Sequence, residues 1–395
     1  MTTDKLAINS PSQVGVWSAV LSMSLCVAML IASEFMPVSL LTPMAHGLSA
    51  TEGQTGQAIS VSGLFAVVAS LAITTVAGRI NRKVVLLAMT TFMLLSLVMI
   101  AVATNFTTLM IARALLGICI GGFWSLATAV IMRLVPEDRV SSALAVMYTG
   151  QAMAAAFAAP IGSYLGGIIG WRGVFWVLVP IVTINLIWQL ISLPSLPVKK
   201  SQSVGAVIQV MKRPYFIRGI LAVLFTFSGA FSMFTYLRPF LETVTGADVT
   251  LLSQLLLALG CAGFLGTWIG GKYANNHVVR MQQGIPVSMG LVTAGLLAFG
   301  QSAAAAALLL IIWGAMNTVL SICWMAWISQ NVDDEPEIGG SLMVAAIQAA
   351  ILFGAAFGGA LLDSFSIEET FIGSITLSAL ALLVVGSGKG LQKAR

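Results

Sequence analysis

Residues 17–41 read WSAVLSMSLCVAMLIASEFMPVSLL and decide the class of fold. The stretch is long enough to cross a bilayer as one helix, since the hydrocarbon core requires about 20 apolar helical residues. It carries one ionisable side chain, Glu34, which is followed by Pro37. A charged group inside an apolar helix is energetically costly and usually faces a cavity or a partner. This segment therefore predicts a membrane helix that contains a specific polar site.

The whole chain shares this apolar character. Of its 395 residues, 58% are hydrophobic and 8% are charged, whereas soluble domains carry about 25% charged residues. No soluble core could bury so much apolar surface, so the composition predicts an all-α polytopic membrane protein. The first apolar run of about 25 residues is too long for the apolar part of a cleaved leader, so no signal peptide is expected.

Twelve apolar stretches follow one another along the chain, six on each side of a polar linker. We expect the spans at residues 17–41, 54–77, 84–104, 107–131, 141–167, 173–193, 216–238, 250–271, 284–302, 304–329, 340–362 and 366–387. The linker predicts an N-terminal six-helix bundle over residues 1–192 and a C-terminal one over 216–395, joined by residues 193–215. Paired halves are typical of secondary transporters, whose substrate site lies near the midplane where the halves meet.

The positive charge of the chain has a topological explanation. The formal net charge of +5 could by itself indicate a nucleic acid partner. However, all but three of the 19 lysines and arginines fall near the chain ends or in loops on one side of the predicted membrane, the exceptions being Arg113, Arg172 and Arg238. Lysine and arginine accumulate in cytoplasmic loops. We therefore expect both termini in the cytoplasm, with the lipid bilayer and not nucleic acid as the surrounding partner.

The cysteines and histidines do not indicate an enzyme. The four cysteines lie singly in apolar stretches, and His46 and His277 fall in loops. This is not the spacing of a metal site, so we expect no metal, no cofactor and no enzymatic activity. A channel is a further alternative, but channels usually need filter residues from several subunits. Two six-span halves suit alternating access in one chain that functions as a monomer.

Several motifs resemble those of one large transporter family. The segments RKVVL (82–86), ARALLGICIGG (112–122) and APIGSYLGG (159–167) are similar to signatures of the major facilitator superfamily, and the last resembles the motif of its twelve-span drug:proton antiporters. EFMPV (34–38) and GFWS (122–125) resemble the branch that contains bacterial purine ribonucleoside and sugar efflux pumps.

This resemblance implies a function, a location and several motif residues. It implies the major facilitator fold, a bacterial inner membrane location, and export of a small polar solute in exchange for protons. Purine ribonucleosides are the first choice of substrate; arabinose-like sugars and amphiphilic drugs are the alternatives. The motif residues implied in gating are Arg79, Arg82, Lys83, Pro160 and Gly162. Pro37 removes a backbone donor and is therefore expected to bend span 1, either as part of an outer gate or as a static kink.

Two charged residues lie deep inside predicted spans, Glu34 in span 1 and Arg113 in span 4. Burial and a nearby cation act on a carboxyl in opposite directions, so Glu34 can be poised to bind and release a proton. The resemblance implies that spans 1 and 4 border one cavity, where Arg113 can pair with Glu34. The alternatives are a permanently protonated Glu34 that bonds a neighbouring helix and an Arg113 that locks helices through backbone carbonyls. Arg238 and Asp363, at the outer span ends, are expected to reach the interface.

The substrate site is expected to contain aromatic and amide side chains. Aromatic rings can stack on a purine, and amides can pair with its edges or with ribose hydroxyls. Each candidate has packing as its alternative role, and together they favour a neutral polar ligand. By the resemblance, the helices that line the cavity carry the candidates Trp124, Gln151, Phe231, Tyr236, Gln254, Asn317, Trp324 and Gln348.

Overall fold

The computed structural model describes residues 13–76, 80–136, 139–197 and 204–393, which fold into α-helices without a strand. The helices are α1 (Gln13–Ser39), α2 (Leu41–Leu48), α3 (Glu52–Val76), α4 (Arg82–Ala101), α5 (Phe106–Leu134), α6 (Val140–Ser192), α7 (Val204–Met211), α8 (Pro214–Thr235), α9 (Leu237–Thr243), α10 (Val249–Phe299), α11 (Ala303–Asn331), α12 (Pro336–Ser364) and α13 (Ile367–Val385). A 3-10 turn follows at Lys389–Leu391.

Ten of the described helices are long and apolar enough to cross a membrane, and two of these are long enough to cross it twice. Helix α6 has 53 residues and α10 has 51, and at 1.5 Å per residue each is about 75–80 Å long. This length exceeds twice the hydrocarbon thickness of about 30 Å. Each helix is broken near its middle, α6 at Gly170 with φ 72° and α10 at His277 with φ −132°. The predicted fold of twelve membrane-crossing helices is confirmed.

The first crossing of each half ends in the same way, with a break followed by a short helix. Leu40 separates α1 from α2 with φ −115° and ψ 11°, and Tyr236 separates α8 from α9 with φ −106° and ψ 18°. Pro37 lies in the last turn of α1, three residues before the first break. A proline lacks the backbone donor that a continuous helix needs, so the predicted bend in this helix coincides with its end.

Two clusters of buried apolar side chains form the core. One contains residues between Ala19 and Leu196. The other contains residues between Val210 and Leu391, with four contributions from the first part of the chain, Val38, Leu41, Ile59 and Ala159. Each half thus has an apolar core of its own. The boundaries at 192/193 and 215/216 stay a prediction.

The two halves meet most closely at one end of the bundle. We call the end where α1 begins and α13 ends the proximal end, and the end where α1 ends and α3 begins the distal end. Toward the distal end, every residue of α8 from Thr226 to Thr235 is buried. Toward the proximal end of α1 and α8, exposed or half-buried residues alternate with buried ones. These helices are surrounded on all sides only in their distal parts.

Candidate functional site

Glu34 lies between the two halves of the molecule. Its side chain is 3% exposed, and the amide of Gln348 on α12 lies beside its carboxyl group. Helix α1 thus presents the acid and α12, from the other half, presents the amide. A carboxyl group at such a contact experiences any movement of the halves directly.

Arg113 binds the helices around Glu34 to one another. It is fully buried on α5. Its Nε donates to the carbonyl of Ala58 at 3.1 Å and its Nη1 to that of Ser33 at 2.9 Å. Its Nη2 donates to Ser62 Oγ at 2.9 Å and to the Glu34 carbonyl at 3.5 Å. These bonds tie α1, α3 and α5 together, which favours the helix-locking interpretation of Arg113 over an ion pair with the Glu34 side chain.

Three amides of the C-terminal half have buried polar atoms without a hydrogen-bond partner among the described residues. Two of them, Gln348 and Asn317, are predicted site residues, and the third is Gln282. Gln348 is 7% exposed, and its Oε1 is buried without a hydrogen bond. The Oδ1 of half-buried Asn317 on α11 is likewise buried without a hydrogen bond. Leaving a buried acceptor unpaired costs about 1–3 kcal/mol, so both oxygens are sites where a polar ligand or water would be favoured.

Aromatic rings beside Glu34 connect the halves. The ring centroid of Phe35 on α1 lies 5.9 Å from those of Phe231 and Phe234 on α8. Phe234 stacks on Trp313 of α11 at 5.4 Å with an interplanar angle of 10°. Sequence reasoning predicted Phe231 but missed the other three. Their signals were adjacency to Glu34 for Phe35 and helical spacing from predicted residues for Phe234 and Trp313.

Three other predicted residues are placed away from Glu34. Gln254 is exposed on the same face of α10 as Leu257 and Leu265, because that helix packs through its opposite side. The expectation that it lines the central site is therefore corrected. Trp324 is 1% exposed and packs edge-on against Trp327 at 5.5 Å, inside the core of its own half. The hydroxyl of fully buried Tyr236 donates to the carbonyl of Ala355 at 2.7 Å.

The remaining two candidates lie in the N-terminal half. Trp124 on α5 is half-buried and stacks on Tyr148 of α6, with ring centroids 6.1 Å apart. Gln151 is half-buried on α6. The contacts of the structure do not join either residue to Glu34.

Polar contacts close the site at the distal end. The carboxylate of Asp363 on α12 accepts from Thr51 Oγ1 at 2.7 Å and from the Gly53 amide at 3.2 Å. Arg238 on α9 donates to the carbonyl of Ser39 and bonds Glu242 at 2.7 Å. Arg238 is only 7% exposed, so the expectation that it reaches the interface is corrected. We call this set of contacts the distal latch; Thr42 completes it by donating to Glu242 Oε2 at 2.7 Å.

Comparison with known families identifies the architecture. Residues 23–340 match the family model described as Major Facilitator Superfamily. The chain belongs to this superfamily. Among solved structures, it superposes on a D-xylose-proton symporter with a TM-score of 0.77 at 13% identity, covering 96% of this chain and 100% of that one. A bacterial homologue of the human lysosomal transporter Spinster, in an inward-facing and occupied conformation, gives a TM-score of 0.73 at 14% identity, covering 93% and 95%.

Closer relatives within the superfamily carry two different names. A protein of Pseudomonas aeruginosa named transcription regulatory protein OpdE is 43% identical over 387 residues, which cover 96% of each chain. A Salmonella paratyphi B protein named purine ribonucleoside efflux pump NepI is 38% identical over 371 residues, which cover 94% of each chain.

The superfamily motifs occupy defined contacts. The backbone amide of Arg82 donates to the carbonyl of Leu196 at 3.0 Å, and that of Lys83 donates to Asn81 Oδ1 at 3.0 Å; Arg79 lies outside the described residues. Pro160 and Gly162 are buried on α6. A Cβ added at Gly162 would lie 2.9 Å from side-chain atoms of Met36 and Ser39, so glycine permits the close approach of α6 to α1.

Proposed function

We propose that this superfamily member exports purine ribonucleosides in exchange for protons. The observation that carries the proposal is the buried Glu34 carboxyl beside the Gln348 amide at the junction of the two halves. The name of the Salmonella relative, which aligns over nearly the whole chain, supports nucleoside efflux. The name of the Pseudomonas relative is not carried over, because a buried acid and amides between membrane helices suit transport and not transcription regulation.

The site chemistry favours a neutral ligand with both polar and flat apolar parts. The unpaired oxygens of Gln348 and Asn317 accept hydrogen bonds, which ribose hydroxyls and purine amino groups can donate. The half-buried ring of Phe35, which packs on Phe231 and Phe234, offers an aromatic surface that suits a purine. A sugar would use the amides but leave this surface without a counterpart.

The coupling follows from the electrostatics of Glu34. A carboxylate without hydrogen bonds is strongly disfavoured in a closed apolar site. The halves therefore close around Glu34 in two states, with the acid protonated or with its carboxylate accepting hydrogen bonds from the substrate. Proton and substrate therefore bind the Glu34 carboxyl in turn. Each crosses the membrane in the direction opposite to the other.

The orientation completes the cycle. Lysine and arginine favour the cytoplasm, so under this proposal the proximal end and both termini face the cytoplasm of a bacterium. The distal latch then closes the site toward the outside. In this conformation the protein would release protons to the cytoplasm and take up substrate there, as a monomer.

Counterflow in proteoliposomes tests the substrate. Purified protein should exchange radiolabelled inosine, while arabinose and a lipophilic cation should give little exchange. Exchange of arabinose alone would replace the nucleoside with the sugar alternative, and exchange of the cation alone would favour a multidrug antiporter.

A second measurement tests the proton. An imposed pH gradient should drive inosine uphill in the wild type, whereas Glu34→Gln should lose this uphill transport and retain downhill exchange. The matched control is Glu368→Gln, which neutralises an exposed carboxyl at the distal end. Wild-type transport that ignores the gradient, or equal loss of both transport modes in folded Glu34→Gln, would contradict proton coupling through Glu34.

A further inference from the structure

A second set of buried polar side chains lies inside the N-terminal half, apart from the junction of the halves. Thr90 on α4 donates its hydroxyl to Gln189 Oε1 on α6 at 2.8 Å, and the Cys26 thiol on α1 lies 3.5 Å from the same hydroxyl. Asn185, one turn before Gln189, lies beside Cys26. All four side chains are fully buried. We call them, with Ser22 and Ser192, the polar column.

The column extends to the proximal end of the bundle. Ser22 Oγ on α1 lies 3.2 Å from Ser192 Oγ, and Ser192 is the half-buried last residue of α6. One turn closer to the N-terminus of α1, the half-buried Ser18 accepts from Trp188 Nε1 at 2.8 Å. Hydroxyl groups therefore continue from the buried amides to the proximal surface.

The opposite end of the column approaches Glu34. Cys119 on α5 is a neighbour of both, since its thiol interacts electrostatically with the Cys26 thiol and with the Glu34 carboxyl. Cys26 and Glu34 are eight residues apart on α1, which corresponds to about 12 Å along the helix. The groups that face Glu34 from other helices are Arg113, Cys119 and Gln348.

The amides of the column are only partly satisfied by contacts with the described residues, since Gln189 Oε1 accepts from Thr90. Both the Nδ2 and the Oδ1 of Asn185 lack a hydrogen-bond partner, as does Gln189 Nε2. Polar side chains whose only role is to hold membrane helices together form hydrogen bonds across the interface between those helices. The unpaired atoms of Asn185 and Gln189 form no such bond. A buried water needs two to four polar partners, and the two amides with Thr90 and Cys26 provide them. The column therefore suits a short file of water molecules.

We propose that the polar column conducts protons between Glu34 and the proximal side of the membrane, by a route separate from that of the substrate. The proposal rests on the proton-carrying role of Glu34 proposed above. The O–H bond of the Glu34 carboxylic acid breaks, its proton passes to water held by the column, and a proton leaves the column near Ser192. The carboxylate that remains is then free to bind substrate.

Infrared spectroscopy tests the route without any substrate. At acid pH the protonated Glu34 carboxyl gives a C=O band, assigned by its loss in Glu34→Gln, which shifts on transfer to deuterated water. Exchange should be slowed by about tenfold or more in Asn185→Leu and Thr90→Val, equivalent to a barrier increase of about 1.4 kcal/mol per factor of ten. Thr90→Ser, which keeps the hydroxyl, should exchange at the wild-type rate.

The neighbouring residue provides a matched control. Thr91 bonds only the Leu87 carbonyl of its own helix in the structure, at 2.8 Å, so Thr91→Val should leave the exchange unchanged. An unchanged exchange rate in folded Asn185→Leu and Thr90→Val would overturn the column. Thermal unfolding identifies folded variants, and Gln189→Leu replaces Asn185→Leu if the latter does not fold.

Transport then separates this proposal from the proposed function. Asn185→Leu should slow inosine efflux driven by a pH gradient and leave inosine counterflow within about twofold of wild type, because counterflow needs no net proton release. If wild-type protein does not transport inosine, the proposed function fails, while the infrared rates still decide whether the column connects Glu34 to the proximal side. Equal loss of both transport modes would indicate a structural role and overturn the relay.

Discussion

Glu34 and Gln348 face each other across the junction of the two halves. A substitution of either residue should therefore change ligand binding more than it changes the stability of the fold. The carboxyl lies on α1 and the amide on α12, which are helices of different halves. The unpaired Oε1 of Gln348 is available to a ligand donor. At the scale of single residues, this amide is the most direct probe of the site.

Replacing Gln348 by alanine should weaken inosine binding. A hydrogen bond to a neutral ligand contributes about 0.5–1.5 kcal/mol, so the apparent KM in counterflow should rise by up to about tenfold. Gln254→Ala is the matched control, because this glutamine is exposed on the outer face of α10. Equal KM values for the two variants would exclude Gln348 from the substrate site.

The pair of Arg213 and Asp334 predicts a pH effect outside the membrane. Hydrogen bonding to Arg213 lowers the pKa of Asp334 to about 2 from an ordinary 3.8. A depressed carboxyl pKa stabilises the fold at pH values above 3.8, and this contribution is lost as the pH falls toward 2. Because the Asp334 side chain is 45% exposed, solvent screening limits the effect to less than about 1 kcal/mol.

Thermal unfolding in detergent measures this contribution. Asp334→Asn should unfold at a slightly lower temperature than wild type at neutral pH, with a difference that stays constant down to about pH 4 and then shrinks. Arg213→Gln should reproduce the pattern, because it removes the other partner. A difference that persists unchanged toward pH 2 would indicate lost packing instead of a lost ion pair.

At the scale of helices, the distal latch joins elements of the two halves through a few polar contacts. Asp363 at the end of α12 holds the start of α3, and Arg238 on α9 holds the end of α1. Glycines 53, 56 and 359 allow this approach, since a Cβ at any of them would collide with Asp363 or Tyr236. Closure at this end thus combines close backbone packing with hydrogen bonds that can separate.

Asp363→Ala should shift the protein toward a conformation open at the distal end. Loss of exposed, charge-assisted bonds worth about 1 kcal/mol should increase the open population by about fivefold. Spin labels on Thr104 and Gln301, exposed distal loop residues of the two halves, should show a longer distance component. Glu368→Ala removes a nearby exposed carboxyl as the control, and an unchanged distance distribution in Asp363→Ala would show that the latch does not hold the halves.

At the scale of the whole molecule, the orientation in the membrane decides which compartment the proximal end faces. A cysteine at Gln392, exposed near the proximal end, should resist a membrane-impermeant maleimide in intact cells and react in inverted vesicles. A cysteine at Gln301 should behave in the opposite way. Labelling of Gln392→Cys in intact cells would show the reverse orientation, in which the proximal end of this conformation faces the outside.

Much of the architecture could be predicted because membrane helices are encoded locally. Each span needs only length and apolar composition. Four spans were recovered even where two of them run together through Gly170 and the other two through His277. Glu34 and Arg113 could be singled out for the same reason, since a charge in an apolar run is visible in the letters. The residues around Glu34 and Arg113 were harder to predict from the sequence, because Gln254 and Gln348 are both glutamines in apolar spans and look equivalent there.

The sequence by itself determined that this chain crosses the membrane twelve times and that its deepest carboxyl is Glu34, because both follow from the free energy of placing side chains in lipid. Only the tertiary structure decided that Gln348 meets this acid, that Phe35 joins the aromatic cluster, and that Arg113 locks three helices. The rotation of each helix about its axis depends on packing against all its neighbours at once, which is a property of the assembled bundle and not of any one segment.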